Sequence, residues 1–477
     1  MITPRDRLDI LDVQNLYGHV LDRGLWDRLG QVFAADGIFD PSDVGLPPMI
    51  GMEEIRRKLI PLEERNPKRC HHSTNVIFLE TAPASARVLS KYICNHATGI
   101  ISYGEYEDDM IRTDAGWRIA RRQTRRRALG RGEANAKFAI DWDALLANAP
   151  PPQPLREAPA LGLSVEDRLA LLDLQNLCGH VLDRGLWDRI GEIFAADGVF
   201  DPSNVGLPPM TGLAEIREKL IPLEDGAGPT RCHHSTNAVI LAADGDRATM
   251  LSKYLCSAGP AAISYGEYED ECVRTAEGWR IARRKTFRRA AGVEIAGAPF
   301  TIEWDGLLAN APPRPALAAP PAPLPLSAED RLDIEALLAL YGHVFDRHWP
   351  ERLDEVFTAD GVFDPSSVGL TVVRGLNAFR DKFFHVAPGV TPGEGRAHHT
   401  TNVTILTATD TTARLLSKYV VRHHSAAVAF GEYEDDLVRT ERGWRIARRK
   451  TYRRALGLDD GKSDRFSVDA DGRLATA

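Results

Sequence analysis

The run GHVLDRGLWDR stands at 18–28 and recurs unchanged at 179–189, and an altered version, GHVFDRHWPER, occupies 342–352. It is the clearest part of a longer self-similarity that aligns residues 5–143, 166–306 and 329–470. Repetition on this scale is that of a whole domain, so the 477-residue chain reads as three copies of one fold. The units run 1–143, 165–306 and 328–477, joined by 144–164 and 307–327. The joins, containing NAPPPQPLREAPALGLS and NAPPRPALAAPPAPLPLS, are proline-rich. They read as semi-rigid extended spacers, about 3 Å per residue and long enough to cross a domain face.

Hydrophobic residues make up 43% and charged residues 26% of the chain, values that fit a conventionally folding soluble protein. The net charge is −8, and the clusters ARRQTRRRA, ARRKTFRRA and ARRKTYRRA alternate with acidic runs such as GEYEDD. That local balance argues against a nucleic-acid partner, and the arginines read as a solvated strand face paired with nearby carboxylates. No run approaches the roughly 18 apolar residues of a membrane span, and the first residues carry no apolar leader core, so the expected location is cytoplasmic, with no membrane partner. Cys70, Cys94, Cys178, Cys232, Cys256 and Cys272 lie in the first two copies without CxxC spacing and read as buried free thiols.

Within a copy, DRLDILDVQNLYGHVLDR has Leu8, Leu11, Leu16, Val20 and Leu21 at helical intervals, with Asp6 placed to cap the start. LWDRLGQVF reads as a second, short helix ending at ADG, and GMEEIRRKLIPL as a third, stopped by Pro61. The remainder alternates as strands: STNVIFL, ARVLSKYICNH, ISYGEYEDDMIRT and GWRIARRQTRRR. Helices followed by an antiparallel meander predict an α+β fold, a curved sheet wrapped around helices.

The elements Y-x-x-x-L-D-R-G-x-W, F-x-A-D-G, H-x-S-T-N and G-W-R-I, in that order, resemble the SnoaL-like branch of the NTF2-like superfamily, with scytalone dehydratase and the lindane dehydrochlorinase similar by motif. The resemblance covers each copy nearly end to end. It implies three tandem NTF2-like cones, arranged as a covalent pseudo-trimer because those relatives are trimers. It also implies an aspartate late in the first helix orienting a histidine that removes a proton from carbon. The matching pairs are Asp22 with His71, Asp183 with His233, and Asp346 with His398. A second catalytic histidine of scytalone dehydratase matches His96 and His423 by position, whereas the second copy has Ala258 there.

An aspartate beside a histidine is a workable general base, since the carboxylate fixes the tautomer and stabilises the imidazolium. The competing reading of the same residues pairs Asp22 with Arg23 or Arg28 and leaves His71 as a core histidine. His71 and His72 are strand neighbours pointing to opposite faces, so the doublet is a weak metal signal; no metal and no cofactor are expected. His19, His180 and His343, three residues before each aspartate, either share its face or cap the cone from outside.

Tyr92, Tyr254 and Tyr419 share a strand face with the second histidine's position, and Tyr106, Tyr268 and Tyr433 are candidate pocket walls. Tyr17 and Tyr341 carry a phenol able to polarise a carbonyl, and the second copy has Cys178 instead. The second copy thus reads as weakened or re-specialised. The tails FAIDWDALLANAP, FTIEWDGLLANAP and FSVDADGRLATA read as lids or clasps.

The expected activity is that of a cofactor-free lyase, dehydratase-like, or isomerase acting on a small, mostly apolar cyclic or aromatic molecule. Two alternatives stay open: a non-catalytic ligand-binding or scaffold protein, and a hydrolase or retro-aldol lyase using the same dyad. The expected partner is a small-molecule substrate, and the chain is expected to be a monomer.

Overall fold

The computed structural model describes residues 2–65, 70–95, 101–129, 140–147, 153–227, 232–257, 263–291, 314–319, 323–384, 397–422, 428–456, 466–468 and 474–476. The first repeat opens with α1 (Pro4–Arg23), started by a capping box in which Thr3 and Asp6 exchange side-chain and backbone hydrogen bonds. Gly24, at φ 65, ends it in the left-handed conformation. After a turn at Trp26–Arg28 come α2 (Leu29–Val32), β1 (Phe33–Asp40), β2 (Met49–Ile50) and α3 (Met52–Glu64). Four long strands follow: β3 (Cys70–Ala82), β4 (Ser85–Asn95), β5 (Ile101–Thr113) and β6 (Gly116–Leu129), then a short α4 (Trp142–Leu146).

The second helix is formed as expected, a 3₁₀ turn and one α turn over residues 26–32, but the segment from Phe33 through Ala-Asp-Gly is strand β1, hydrogen bonded to β2 and β6. Pro61 does not stop the third helix; α3 continues past it to Glu64, with Leu59, Ile60 and Leu62 buried on either side. The sheet is also richer than a meander. Its order is β2-β1-β6-β5-β4-β3, and β1 runs parallel to β6, making a mixed six-stranded sheet curved around α1.

The second repeat has the same parts: α5 (Val165–Arg184), β7 (Phe194–Asp201), β8 (Met210–Thr211), α6 (Leu213–Ala227), β9 (Cys232–Asp244), β10 (Arg247–Ser257), β11 (Ile263–Thr275) and β12 (Gly278–Ala291). The third has α7 (Ala328–Asp346), α8 (Leu353–Val356), β13 (Phe357–Asp364), β14 (Val373–Arg374), α9 (Leu376–Phe383), β15 (Ala397–Ala408), β16 (Thr412–Arg422), β17 (Val428–Thr440) and β18 (Gly443–Leu456). Three α+β cones with the same strand order result.

The cones close into a ring because each first helix has two faces to bury. α1 packs on β3 of its own sheet and on β9 of the second repeat; α5 packs on β9 and β15, and α7 on β15 and β3. Along the ring axis Ile93, Tyr103, Leu255, Tyr265, Val420 and Phe430 form one apolar cluster with Cys70, Cys232 and Ala397, and Leu8, Leu169 and Leu332 form another. All six cysteines are free and buried.

The spacers do more than span. Arg156 N–H donates to the Asp27 carbonyl at 2.6 Å and Gln31 to the Arg156 carbonyl at 2.8 Å, while Ala318 N–H donates to the Asp188 carbonyl at 2.8 Å. Each spacer is thus docked on the repeat it leaves. In the first tail Leu145 of α4 enters the core beside α3, and the Lys58 ammonium lies 5.7 Å from the Trp142 ring. The second tail lies outside the described residues, and Phe466–Val468 pairs with Leu474–Thr476 in the third.

Candidate active site

The last turn of α1 is set against the start of β3 by close approach. A Cβ on Gly18 would stand 2.6 Å from the His71 carbonyl oxygen and 2.9 Å from Asn237 Nδ2, so only glycine lets helix and strand meet there. One turn later Asp22 is held under His71. His71 Nδ1 donates to Asp22 Oδ1 at 2.6 Å and the His71 backbone N–H donates to Asp22 Oδ2 at 2.7 Å. The other repeats reproduce both bonds: His233 to Asp183 at 2.6 and 2.8 Å, His398 to Asp346 at 2.5 and 2.7 Å. Asp22 thus contacts His71, while Arg23 pairs with Glu267 and Glu269.

A third donor to each carboxylate comes from the next repeat. Lys253 Nζ bonds Asp22 Oδ2 and reaches Glu267 Oε1 at 2.8 Å; Lys418 bonds Asp183, and Lys91 bonds Asp346. All three lysines are fully buried or nearly so. Burial by itself raises the Asp22 carboxyl, but Lys253 and His71 outweigh it and hold the group well below the usual carboxylate range. Burial pulls the His71 imidazole down, yet Cys94 and Asp22 push it up to about 10. His233 is likewise pushed well above its ordinary value by Cys256 and Asp183 against the effect of burial.

The rest of the repeated segment clasps the neighbouring repeat. His19 Nε2 donates to the Asn237 carbonyl at 2.8 Å, and Arg23 pairs with Glu267 at 2.7 Å and Glu269 at 2.5 Å. His180 and Arg184 make the equivalent bonds to Asn402, Glu432 and Glu434; His343 and Arg347 make them to Asn75, Glu105 and Glu107. His19, His180 and His343 therefore neither cap the cone from outside nor join the dyad. The asparagine of H-x-S-T-N serves the same joint: Asn237, at φ 50, accepts from Ser73 N–H at 2.8 Å and donates to the Asn15 carbonyl at 3.0 Å. His72 turns away from the cone, its Nδ1 meeting Thr236 Oγ1 of the second repeat at 2.8 Å.

Inside the cone the arginine expectation is corrected. Arg121 and Arg125 are exposed, but strand alternation turns Arg122 inward, where it is fully buried. Asp108 pairs with it at 2.8 and 2.6 Å, Gln14 Oε1 accepts from it at 2.5 Å, and the Tyr17 and Tyr106 rings lie on it at 4.2 Å each. A buried guanidinium requires such partners. In the second repeat Cys178 Sγ lies 3.1 Å from Arg284 Nη1 where Tyr17 would stand; in the third, Tyr341 and Tyr433 flank Arg449.

The tyrosines named from the sequence gather around this arginine and the histidine. Tyr92 stacks on Tyr106 at 4.8 Å, and Tyr17 sits edge-on to His71 at 6.3 Å. Tyr254 lies 4.9 Å from Tyr268, and Tyr419 4.7 Å from Tyr433. His96 and His423 lie outside the described residues.

A cavity of about 620 Å³ opens where the first and second repeats meet, lined by Asp22, Trp26 and Glu63 on one side and Glu267, Glu269 and Arg288 on the other. The third site is walled differently: Phe345 replaces Leu21, its ring 6.0 Å from His398 and 5.2 Å from Phe384.

Reading the sequence missed the lysines and the thiols of this site. The signal for Lys91 was present: Leu89, Lys91 and Ile93 alternate on one face of β4, and a lysine in an apolar row needs a buried anion. Among the described residues no helix is long and apolar enough to cross a membrane.

The SnoaL-like domain matches residues 3–123, 163–285 and 326–450, and the chain belongs to that family, as three tandem NTF2-like domains. Solved structures each resemble about one repeat. An NTF2-like protein with a cystatin-like fold from Novosphingobium aromaticivorans is 28% identical over 28% of this chain and 84% of its own, with a TM-score of 0.23. A provisionally assigned scytalone dehydratase from the same organism is 18% identical over 29% and 95%, with a TM-score of 0.25. A type 2 hexachlorocyclohexane dehydrochlorinase is 15% identical over 29% and 96%, also at 0.25. Comparison with curated protein sequences finds no match.

Proposed function

We propose that the chain is a cofactor-free lyase of the dehydratase type, or an isomerase, that removes a carbon-bound proton from a small, mostly apolar cyclic or aromatic substrate. His71, His233 and His398 are the bases and Asp22, Asp183 and Asp346 orient them. The observation that carries this reading is that each aspartate accepts both N–H groups of its histidine, which fixes the ring and leaves Nε2 as the remaining ring nitrogen. His96 and His423 are assigned as acids for a departing hydroxyl, and the tyrosines around the buried arginines as the pocket wall. Proton transfer of this kind contributes roughly 10² to 10⁴ in rate. The chain acts as a monomer in which the second repeat, with Cys178 and Ala258 where the first has Tyr17 and His96, carries a weakened or re-specialised site.

One observation favours a second reading, a ligand-binding scaffold: each aspartate also binds a lysine of the next repeat, so the pair has structural work even without chemistry. Replacing His71, His233 and His398 together by glutamine separates the two. Loss of elimination or isomerisation of a cyclic β-hydroxy ketone panel, with an unchanged fold by circular dichroism, supports the enzyme. Ligand binding without turnover in the unaltered protein supports the scaffold.

A further inference from the structure

The three histidines face different partners across the sheet. In the β4–β3 pairing His71 stands directly opposite Cys94, and in the β10–β9 pairing His233 stands opposite Cys256. In the third repeat His398 stands opposite Val421. Directly opposed residues present their side chains on the same face with Cβ atoms about 5 Å apart. Asp22 occupies Nδ1 of His71, which leaves Nε2 for the Cys94 thiol that hydrogen bonds this ring. His71 and Cys94 are both buried, and Cys94 and Cys256 each act to raise the histidine beside them.

The other four cysteines have different surroundings. Cys70 and Cys232 lie on the opposite face, in the axial cluster, with Sγ 3.3 and 3.2 Å from His72 and His234, neither of which touches a carboxylate directly. Burial pulls His72 down to about 3, with the Lys253 charge adding to the effect, so it does not hold the proton of a thiol. Cys178 lies against Arg284, and Cys272 lies 3.9 Å from Met250.

We propose that Cys94–His71–Asp22 and Cys256–His233–Asp183 are thiol–imidazole–carboxylate triads, and that Cys94 and Cys256 are nucleophiles toward α,β-unsaturated carbonyl compounds. The thiol proton passes to histidine Nε2 and Asp22 or Asp183 stabilises the imidazolium. The thiolate adds to the β-carbon of the acceptor, forming an S–C bond as the C=C π pair moves to the α-carbon. The imidazolium then returns its proton to the α-carbon. An S–H and a C=C π bond are replaced by S–C and C–H, and no oxidant or second reactant is consumed. The third repeat, with Val421, performs only the chemistry of its aspartate and histidine. In the first two repeats this assignment uses the same histidine Nε2 that the lyase reading uses as base, so there it stands as an alternative to proton abstraction from carbon; thiol labelling reads it separately from turnover.

N-Ethylmaleimide, itself an unsaturated carbonyl compound, tests it on the full chain at pH 6.5, where an ordinary thiol is about 1% ionised. Peptide mapping after brief exposure is expected to find Cys94 and Cys256 modified at least tenfold faster than Cys70, Cys178, Cys232 and Cys272. His71→Gln is expected to slow Cys94 about tenfold or more and to leave Cys256 unchanged as the reference within the same molecule. Val421→Cys, which places a thiol opposite His398, is expected to create a third fast-reacting site and keeps the test alive if the histidine variant does not fold. Equal rates for all six cysteines, no labelling of the folded protein, or a Val421→Cys thiol as slow as Cys70 would overturn the proposal.

Discussion

Lys253 of the second repeat and Asp22 of the first are buried ion-pair partners, although 231 residues separate them in the chain. The same bond recurs as Lys418 with Asp183 and Lys91 with Asp346, so each candidate site is completed by the repeat after it and the third is completed by the first. Lysine also satisfies Glu267, which in turn holds Arg23 and faces His19 Nδ1 at 3.4 Å. Joint and site are therefore one electrostatic network.

Removing that cation is expected to be costly at both. Lys253→Met leaves Asp22 and Glu267 buried with one positive partner fewer, and breaking such a pair destabilises by about 3–5 kcal/mol. Chemical denaturation should show a lower midpoint for this variant. Asp22→Asn combined with Lys253→Met should recover part of the loss, because the pair is then neutral on both sides. A single variant as stable as the parent protein would show that the network contributes little.

The pH dependence follows from the two partners in opposite directions. The His71 value is raised from 6.5 to about 10 in the folded protein, so the stability it contributes is fully present below pH 6.5 and is lost as pH rises toward 10. Asp22 is lowered, so its contribution is present above its unfolded value of 3.8 and is lost as pH falls through the folded one. Thermal midpoints should be highest between about pH 4 and 6.5 as far as this pair is concerned. Cys94→Val removes one of the two groups that raise His71, so the ring's titration, followed by NMR, should move to lower pH. No movement would exclude Cys94 as a cause.

Gly18 admits a packing test. Gly18→Ala places a Cβ 2.6 Å from a backbone oxygen of β3 and 2.9 Å from the Asn237 side chain, neither of which yields without shifting the neighbouring repeat. Overpacking of this kind costs about 1–3 kcal/mol. The same substitution at Gly179 and Gly342 meets the same groups, His233 and Asn402, then His398 and Asn75, and should cost about as much. Equilibrium unfolding of the three single variants checks both the size and the equivalence of the effect.

The sequence by itself determined the number of cones, the helix that carries each aspartate and the strand that carries each histidine, because repetition, helical period and strand alternation are local signals. It also placed Asp22 and His71 in the right elements, since both lie within one repeat and the fold of the repeat decides their meeting. It passed over strand β1, because its parallel partner β6 is far along the chain, with Ile38 opposite Arg121. It read Arg122 as solvated because an arginine among arginines looks exposed; only the packed cone supplies Asp108, Gln14, Tyr17 and Tyr106 around it. What the tertiary structure alone decided is the joint. Whether GHVLDR serves a site or an interface depends on which face of α1 meets β9, and that was fixed only when three cones closed into a ring and brought Lys253, Asn237 and Glu267 to it.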